Sequence, residues 1–273
     1  MCKPKHTQYK QPLSIIMKKF IVTALLVFAL TQASLCLAQN PGAPVEKPAD
    51  ILKNTDSFFA YVNSNLKLSA NYTAYDTNSK MISKDVFLKA LTSGNYLPLM
   101  LSSNDNKMYF KLYKFNAKAK HDVGGYISGW SLVFYDHYKK EGKKFPTFNF
   151  VDLNGNKYSS ESTKGKIVVL NCWFIGCQVC EEEMPALNDL VSQYKNRKDI
   201  VFISLALDPK KKLEAFVKRK PFNYALIANQ KQFISKALNV KYFPTQFIIN
   251  KQGKIVSVVE TPNEIIYALQ NKI

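Results

Sequence analysis

Val168-Val169-Leu170-Asn171-Cys172-Trp173-Phe174-Ile175-Gly176-Cys177-Gln178-Val179-Cys180-Glu181-Glu182-Glu183-Met184-Pro185 is the stretch on which the reading of this chain turns. Its opening, Ile167–Cys172, is an apolar run of the kind a strand shows when both of its faces are covered. From Cys177 onward Leu187, Leu190, Val191 and Tyr194 fall on one face of a helix. Cys177 and Cys180 therefore sit where a buried strand ends and a helix begins. Free backbone N–H groups and the positive end of the helix dipole stabilise a thiolate there. A second cysteine one turn later is close enough to resolve a mixed disulfide. A zinc half-site is the competing reading, but the histidines beyond residue 39 are His121 and His137, with no cysteine near either.

Working outward, the pattern alternates. Ile200–Leu205 reads as a second buried strand, and Asp208-Pro209 as an N-cap and first-position proline. The helix that follows would bury Leu213, Phe216 and Val217 and stop at Pro221. Phe233, Ile234, Ala237 and Leu238 mark a further short helix. Phe247–Asn250 and Ile255–Val259 flank Lys-Gln-Gly-Lys as a hairpin. Thr261-Pro262-Asn263-Glu264 is a capping box opening a last helix with Ile265, Ile266 and Leu269 inward. The expected order is β-α-β-α-(α)-β-β-α.

These residues resemble the thioredoxin superfamily, specifically its exported TlpA/ResA-type thiol–disulfide oxidoreductases. Phe148–Lys157 looks like the strand–turn–strand that opens such a domain, and Pro185 matches the proline that kinks its active-site helix. Tyr242-Phe243-Pro244-Thr245 matches the family's cis-proline segment. The resemblance implies that Pro244 is cis and faces the cysteines, and that Phe243 and Pro244 bind substrate: the proline has no N–H, so the backbone of Phe243 before it is free to pair with an extended substrate strand. It makes Trp173 a packing residue and Glu183 the acid before Met-Pro, for which a solvated helix face is the alternative. Asn171 stands where cytoplasmic thioredoxins carry a buried aspartate, so another group or water must take the proton of Cys180. Cys172 reads as a small buried hydrophobe. The acids at 181–183 bring negative charge toward the thiols. No metal, flavin or nucleotide cofactor is implied.

The N-terminus carries an export signal. Met17-Lys18-Lys19 opens a positive region, Phe20–Leu30 is apolar apart from Thr23, and Cys36-Leu37-Ala38-Gln39 offers cleavage after Ala38. Residues 1–38 are thus expected to be a signal peptide, with Met17 an alternative start. An uncleaved anchor or lipidation at Cys36 would instead tether the chain to a membrane. Five lysines precede residue 39, where no acid occurs, so the rest keeps 33 basic residues against all 20 acidic ones. Those lysines are scattered and carry no nucleic-acid motif, so a solvated surface is expected rather than nucleic-acid binding. Beyond the signal only Cys172, Cys177 and Cys180 remain, three within nine residues. That is a site rather than a disulfide framework.

Residues 39–50 read as a proline-rich linker and 51–141 as a small α+β N-terminal domain of unknown role. In it Ser83 caps a short helix closed by Gly94, and Tyr96–Leu101 with Met108–Phe115 form a hairpin. Residues 142–273 are expected to be an α/β thioredoxin-like domain, a central mixed sheet with flanking helices. The expected activity is exchange of the Cys177/Cys180 dithiol with disulfides of periplasmic or envelope proteins. The resemblance implies a reductant, resupplied by an upstream membrane electron donor and acting on cytochrome maturation apothiols. The alternatives are a non-catalytic envelope binding protein and a peroxiredoxin-related peroxidase. The latter's Pro-x-x-x-Thr/Ser-x-x-Cys context is absent here.

Overall fold

A computed structural model describes residues 42–273, and the signal segment expected over 1–38 lies outside the described residues. Of the expected linker, the described part carries structure. Ser102 donates its N–H to the Ala43 carbonyl and Val45 to that of Met100, and Pro48–Ile51 forms one helical turn (α1).

Asn54, Ser83 and Asn116 each cap a helix by accepting a backbone N–H, from Ser57, Val86 and Ala119. The helices are α2 (Thr55–Asn65), α3 (Lys84–Leu91) and α4 (Ala117–Tyr138). They accompany strands β1 (Tyr72–Tyr75), β2 (Met81–Ile82), β3 (Tyr96–Leu101) and β4 (Met108–Lys114), in the order β2-β1-β4-β3. The expected β3–β4 hairpin is present, pairing Tyr96 with Lys114 through Leu101 with Tyr109, but β1 also joins β4 in parallel. The core between helices and sheet is built on Phe58, Phe87, Leu91, Phe110 and Ile127. Gly94, at φ +64°, and Gly124 touch across α3 and α4. A Cβ on either would lie 2.6 Å from the other's carbonyl oxygen, so glycine at both positions lets the chains meet.

The remaining chain opens with the hairpin β5 (Asn149–Val151) and β6 (Lys157–Ser159), then β7 (Ile167–Trp173). There follow α5 (Gln178–Gln193), β8 (Ile200–Ala206), α6 (Lys210–Arg219), β9 (Ala225–Ile227), β10 (Thr245–Ile249), β11 (Ile255–Val259) and α7 (Pro262–Asn271). A π-helical turn, Phe233–Ala237, stands where a short helix is expected. The five-stranded sheet runs β11-β10-β7-β8-β9, with β7, β8 and β9 parallel and β10 antiparallel to both neighbours. This is the mixed sheet of the thioredoxin-like fold. Every residue of β7 is buried, as its run of apolar residues requires. Val169 and Trp173 face α5 and α7, whereas Val168, Leu170 and Cys172 face the other layer with Phe145, Phe150 and Phe247. The Thr261–Glu264 capping box forms as expected.

One capping assignment is corrected. Pro209, not Asp208, occupies the N-cap position of α6, and no side chain caps it. The Asp208 carboxylate turns instead toward the loop after β7, where it accepts the Ile175 N–H.

Candidate active site

The turn between β7 and α5 is held by its own backbone and by two acids. Cys177 donates its N–H to the Phe174 carbonyl, and Gly176 takes φ +93°, a conformation that favours glycine. Asp208 Oδ2 accepts from Ile175 N at 2.7 Å, and Glu181 Oε1 accepts from Gly176 N at 2.8 Å. The turn is thus fixed from both the β8 side and the first helical turn.

Cys177 is the N-cap residue of α5, and its sulfur accepts the Cys180 N–H at 3.4 Å. The two cysteines are joined in a disulfide. Both are largely buried, Cys177 at 8% exposure and Cys180 at 3%, so the first is the more accessible. Cys172 is wholly buried on the opposite face of β7, and burial pushes its thiol far above the usual range.

The Phe243–Pro244 bond is cis, as the resemblance implies, and Pro244 immediately precedes β10. Phe243 packs edge-on against Phe174, with ring centroids 5.3 Å apart, so the proline segment and the cysteine turn meet through these rings. Val179 and Tyr242 are exposed nearby in sequence, giving this rim an apolar character. Trp173 is fully buried against Phe216 and Phe222.

The three acids at the start of α5 do different things. Glu181 holds Gly176 and lies 3.8 Å from Lys220, while Glu182 accepts from the Gln178 side chain. Glu183 is not on a solvated face: its Oε2 is buried and has no hydrogen-bond partner. Burial first, then the nearby Glu260 and Glu264, push its carboxyl up to about 7. Sequence reasoning missed Asp208's role, because Asp-Pro before a helix looks like a cap. It also missed Glu260, which burial and Glu264 push up to about 7. Among the described residues no group of three or more His, Cys, Asp or Glu side chains gathers as a metal site. A cleft of about 450 Å³ opens at the other end of β7, lined by Lys144, Lys164, Lys166 and Lys251 among others.

A family profile described as AhpC/TSA matches residues 142–258. The thioredoxin-like protein YneN of Bacillus subtilis is 32% identical over 139 residues, 48% of this chain and 80% of that protein. The thiol-disulfide oxidoreductase ResA of Bacillus cereus is 33% identical over 134 residues, 47% of this chain and 77% of its own. The chain belongs to the thioredoxin-like thiol–disulfide oxidoreductases. A crystal structure of the thioredoxin domain of a thiol-disulfide oxidoreductase from Bacteroides vulgatus matches with 22% identity and a TM-score of 0.43, covering 48% of this chain and 95% of that one. The family match leaves residues 42–141 uncovered.

Proposed function

We propose that this oxidoreductase is exported and reduces disulfides in proteins of the periplasm or cell envelope, with Cys177 as the attacking thiolate and Cys180 as the resolving thiol. The observation that carries the reading is the place of Cys177 at the N-cap of α5, more exposed than Cys180. In the reduced protein the Cys177 thiolate attacks one sulfur of a partner disulfide, and the other partner sulfur leaves as a thiolate. Cys180 then loses its proton and attacks Cys177, which expels the second partner thiolate and leaves the Cys177–Cys180 disulfide. Two electrons pass to the partner. A dithiol donor at the membrane would return them.

Phe243 and Pro244 form the substrate edge in this reading. Pro244 has no N–H to engage within the sheet, so the backbone before it is available to an extended strand of the partner. Glu183 lies three residues after Cys180, on the adjacent buried face of the helix, and exchanges its proton near neutrality. Export rests on the Met17–Gln39 sequence, which also leaves room for a membrane tether. No helix of the described residues is long and apolar enough to cross a membrane. We assign the domain boundary near Gly142, where the family match begins.

Insulin reduction by the dithiol-loaded protein tests the activity, and Cys180→Ala tests the order of attack. The variant should accumulate mixed disulfides through Cys177 with cysteine-bearing envelope proteins, and dithiothreitol should release them. A protein that neither reduces insulin nor forms such adducts would be a binding module instead. The AhpC/TSA description favours one further reading, in which the same dithiol reduces a peroxide to alcohol and water. Faster turnover with hydrogen peroxide than with insulin would support it.

A further inference from the structure

The 36 residues from Pro209 to Pro244 carry nine of the chain's lysines and arginines and one acid, Glu214. Scattered along the sequence, these cations belong to a segment that the fold returns repeatedly to the cysteine turn. Asp208, two residues before α6, holds Ile175 N at 2.7 Å, and Leu207 donates its N–H to the Trp173 carbonyl. Lys220, the residue after α6, lies 3.8 Å from Glu181 Oε2, while Oε1 of the same carboxylate holds Gly176 N. Phe243 meets Phe174 ring to ring. The loop after β9 is drawn in as well, because Asn229 and Gln230 donate their N–H groups to the Asp208 and Ala206 carbonyls.

These contacts place six of the cations. Lys210, Lys211 and Lys212 open α6 two to four residues after Asp208, Lys231 follows Asn229 by two, and Lys241 precedes Phe243 by two. Lys220 is itself one of the contacts. Successive Cα atoms are about 3.8 Å apart, so each cation is within about 15 Å of chain from a residue that makes such a contact. All of them except the half-buried Lys220 are exposed. The acids of the same region are occupied. Asp208 and Glu181 accept from the turn, Glu182 accepts from the Gln178 side chain, and Glu214 lies 3.8 Å from Lys210. Alongside the cations the surface is apolar: Val179, between the two cysteines, is 53% exposed, and Tyr242 is 42% exposed. Apolar residues bordered by a charged rim are the anatomy of a protein-docking surface.

We propose that this basic rim docks acidic segments of partner proteins, so that the dithiol selects disulfides flanked by an apolar residue and by aspartates or glutamates. The inference rests on the oxidoreductase reading above and names the class of partner. A protein fits this surface better than a nucleic acid does, because the cations accompany a dithiol whose co-substrate must bring a disulfide. Charges of one sign beside a reactive group raise the rate of encounter with an oppositely charged partner and lower it for a like-charged one. Selection by this rim therefore acts on docking, before any sulfur is exchanged.

Two synthetic peptides test the proposal on the full chain. Each contains one disulfide with the same apolar residue beside the cysteine, flanked by aspartates in one and by lysines in the other. Neutral hydroxyethyl disulfide is the third substrate. At about 0.01 M salt, where the screening length is about 30 Å, kcat/KM should favour the acidic peptide by about tenfold or more. At about 1 M, with a screening length of about 3 Å, the two peptides should converge. The triple variant Lys211→Glu/Lys212→Glu/Lys231→Glu should lower the acidic-to-basic ratio several-fold, while hydroxyethyl disulfide reports any change in the thiol itself. Fluorescence anisotropy of the same peptides with serine in place of cysteine reads docking without chemistry and should rank them alike. Equal turnover and equal binding of the two peptides, or a preference that the triple variant retains, would overturn the proposal. Binding ranked as expected in a protein that reduces none of the three disulfides would instead refute the oxidoreductase reading. Co-sedimentation with phosphatidylglycerol vesicles, lost in the triple variant and unaccompanied by a peptide preference, would assign the rim to a membrane surface and overturn the proposal too.

Discussion

Asp208 Oδ2 accepts the backbone N–H of Ile175 at 2.7 Å, so the residue after β8 holds the loop that delivers the cysteines. A second bond, from Leu207 N to the Trp173 carbonyl at 3.1 Å, runs beside it. Removing a carboxylate acceptor from a part-buried N–H costs more than an ordinary hydrogen bond. Asp208→Ala should therefore lower stability by about 1–3 kcal/mol in urea unfolding and slow insulin reduction several-fold, whereas Asp208→Asn should keep much of both. Equal behaviour of the Ala variant and the parent would show that the loop is fixed without this contact.

The dithiol turn was legible because its chemistry is local: an apolar strand, a C-x-x-C pair and a helical face lie within 28 consecutive residues, Ile167 to Tyr194. The capping box at Thr261 was legible for the same reason. The 22-residue helix α4 was not, because Gly124, Gly125 and Gly129 lower its helix propensity and apolar residues ring it rather than forming one stripe. The parallel β1–β4 pairing was equally hidden, since it joins residues more than thirty apart in sequence. The influence of Glu260 on the Glu183 carboxyl could not be read at all. It is a product of tertiary packing across 77 positions of sequence, which no linear pattern encodes. Gln246 follows Thr245 in a strand whose other three residues are apolar, and its pairing with Asn171 comes from the antiparallel register of β10 on β7, which no linear pattern encodes.

Thiol reactivity should follow the order of burial and helix position. In the reduced protein Cys177 should alkylate first under brief iodoacetamide treatment and Cys180 more slowly. Cys172, enclosed on the opposite face of β7 with its thiol pKa raised by burial, should stay unlabelled until the protein unfolds. Peptide mass spectrometry reads the order, and first labelling at Cys172 would contradict it.

Export makes a separate prediction. A signal segment beginning at Met17 should yield a mature N-terminus near Gln39 in the envelope fraction of an expressing cell. N-terminal sequencing of the fractionated protein decides it. An intact Met1 or Met17 in the soluble cytoplasmic fraction would remove export from the proposed function and leave the dithiol chemistry untouched.

Glu183 and Glu260 should also leave a mark on stability. Their carboxyls rise from 4.5 to about 7 on folding, so between those values the native state binds more protons than the unfolded one. Unfolding free energy must then fall as pH rises through that window, and the loss is complete above about 7. His137 pulls the other way. Burial lowers its imidazole from 6.5 to about 4, so its contribution rises with pH over that range and partly masks the glutamates below pH 6.5. The cleanest comparison is the double variant Glu183→Gln/Glu260→Gln against the parent at pH 5 and pH 8. Both side chains are partly exposed, so solvent screening trims the effect, and the variant should gain about 1–3 kcal/mol more at pH 8 than at pH 5. An equal difference at the two pH values in urea unfolding would mean that neither carboxyl is held protonated by the fold.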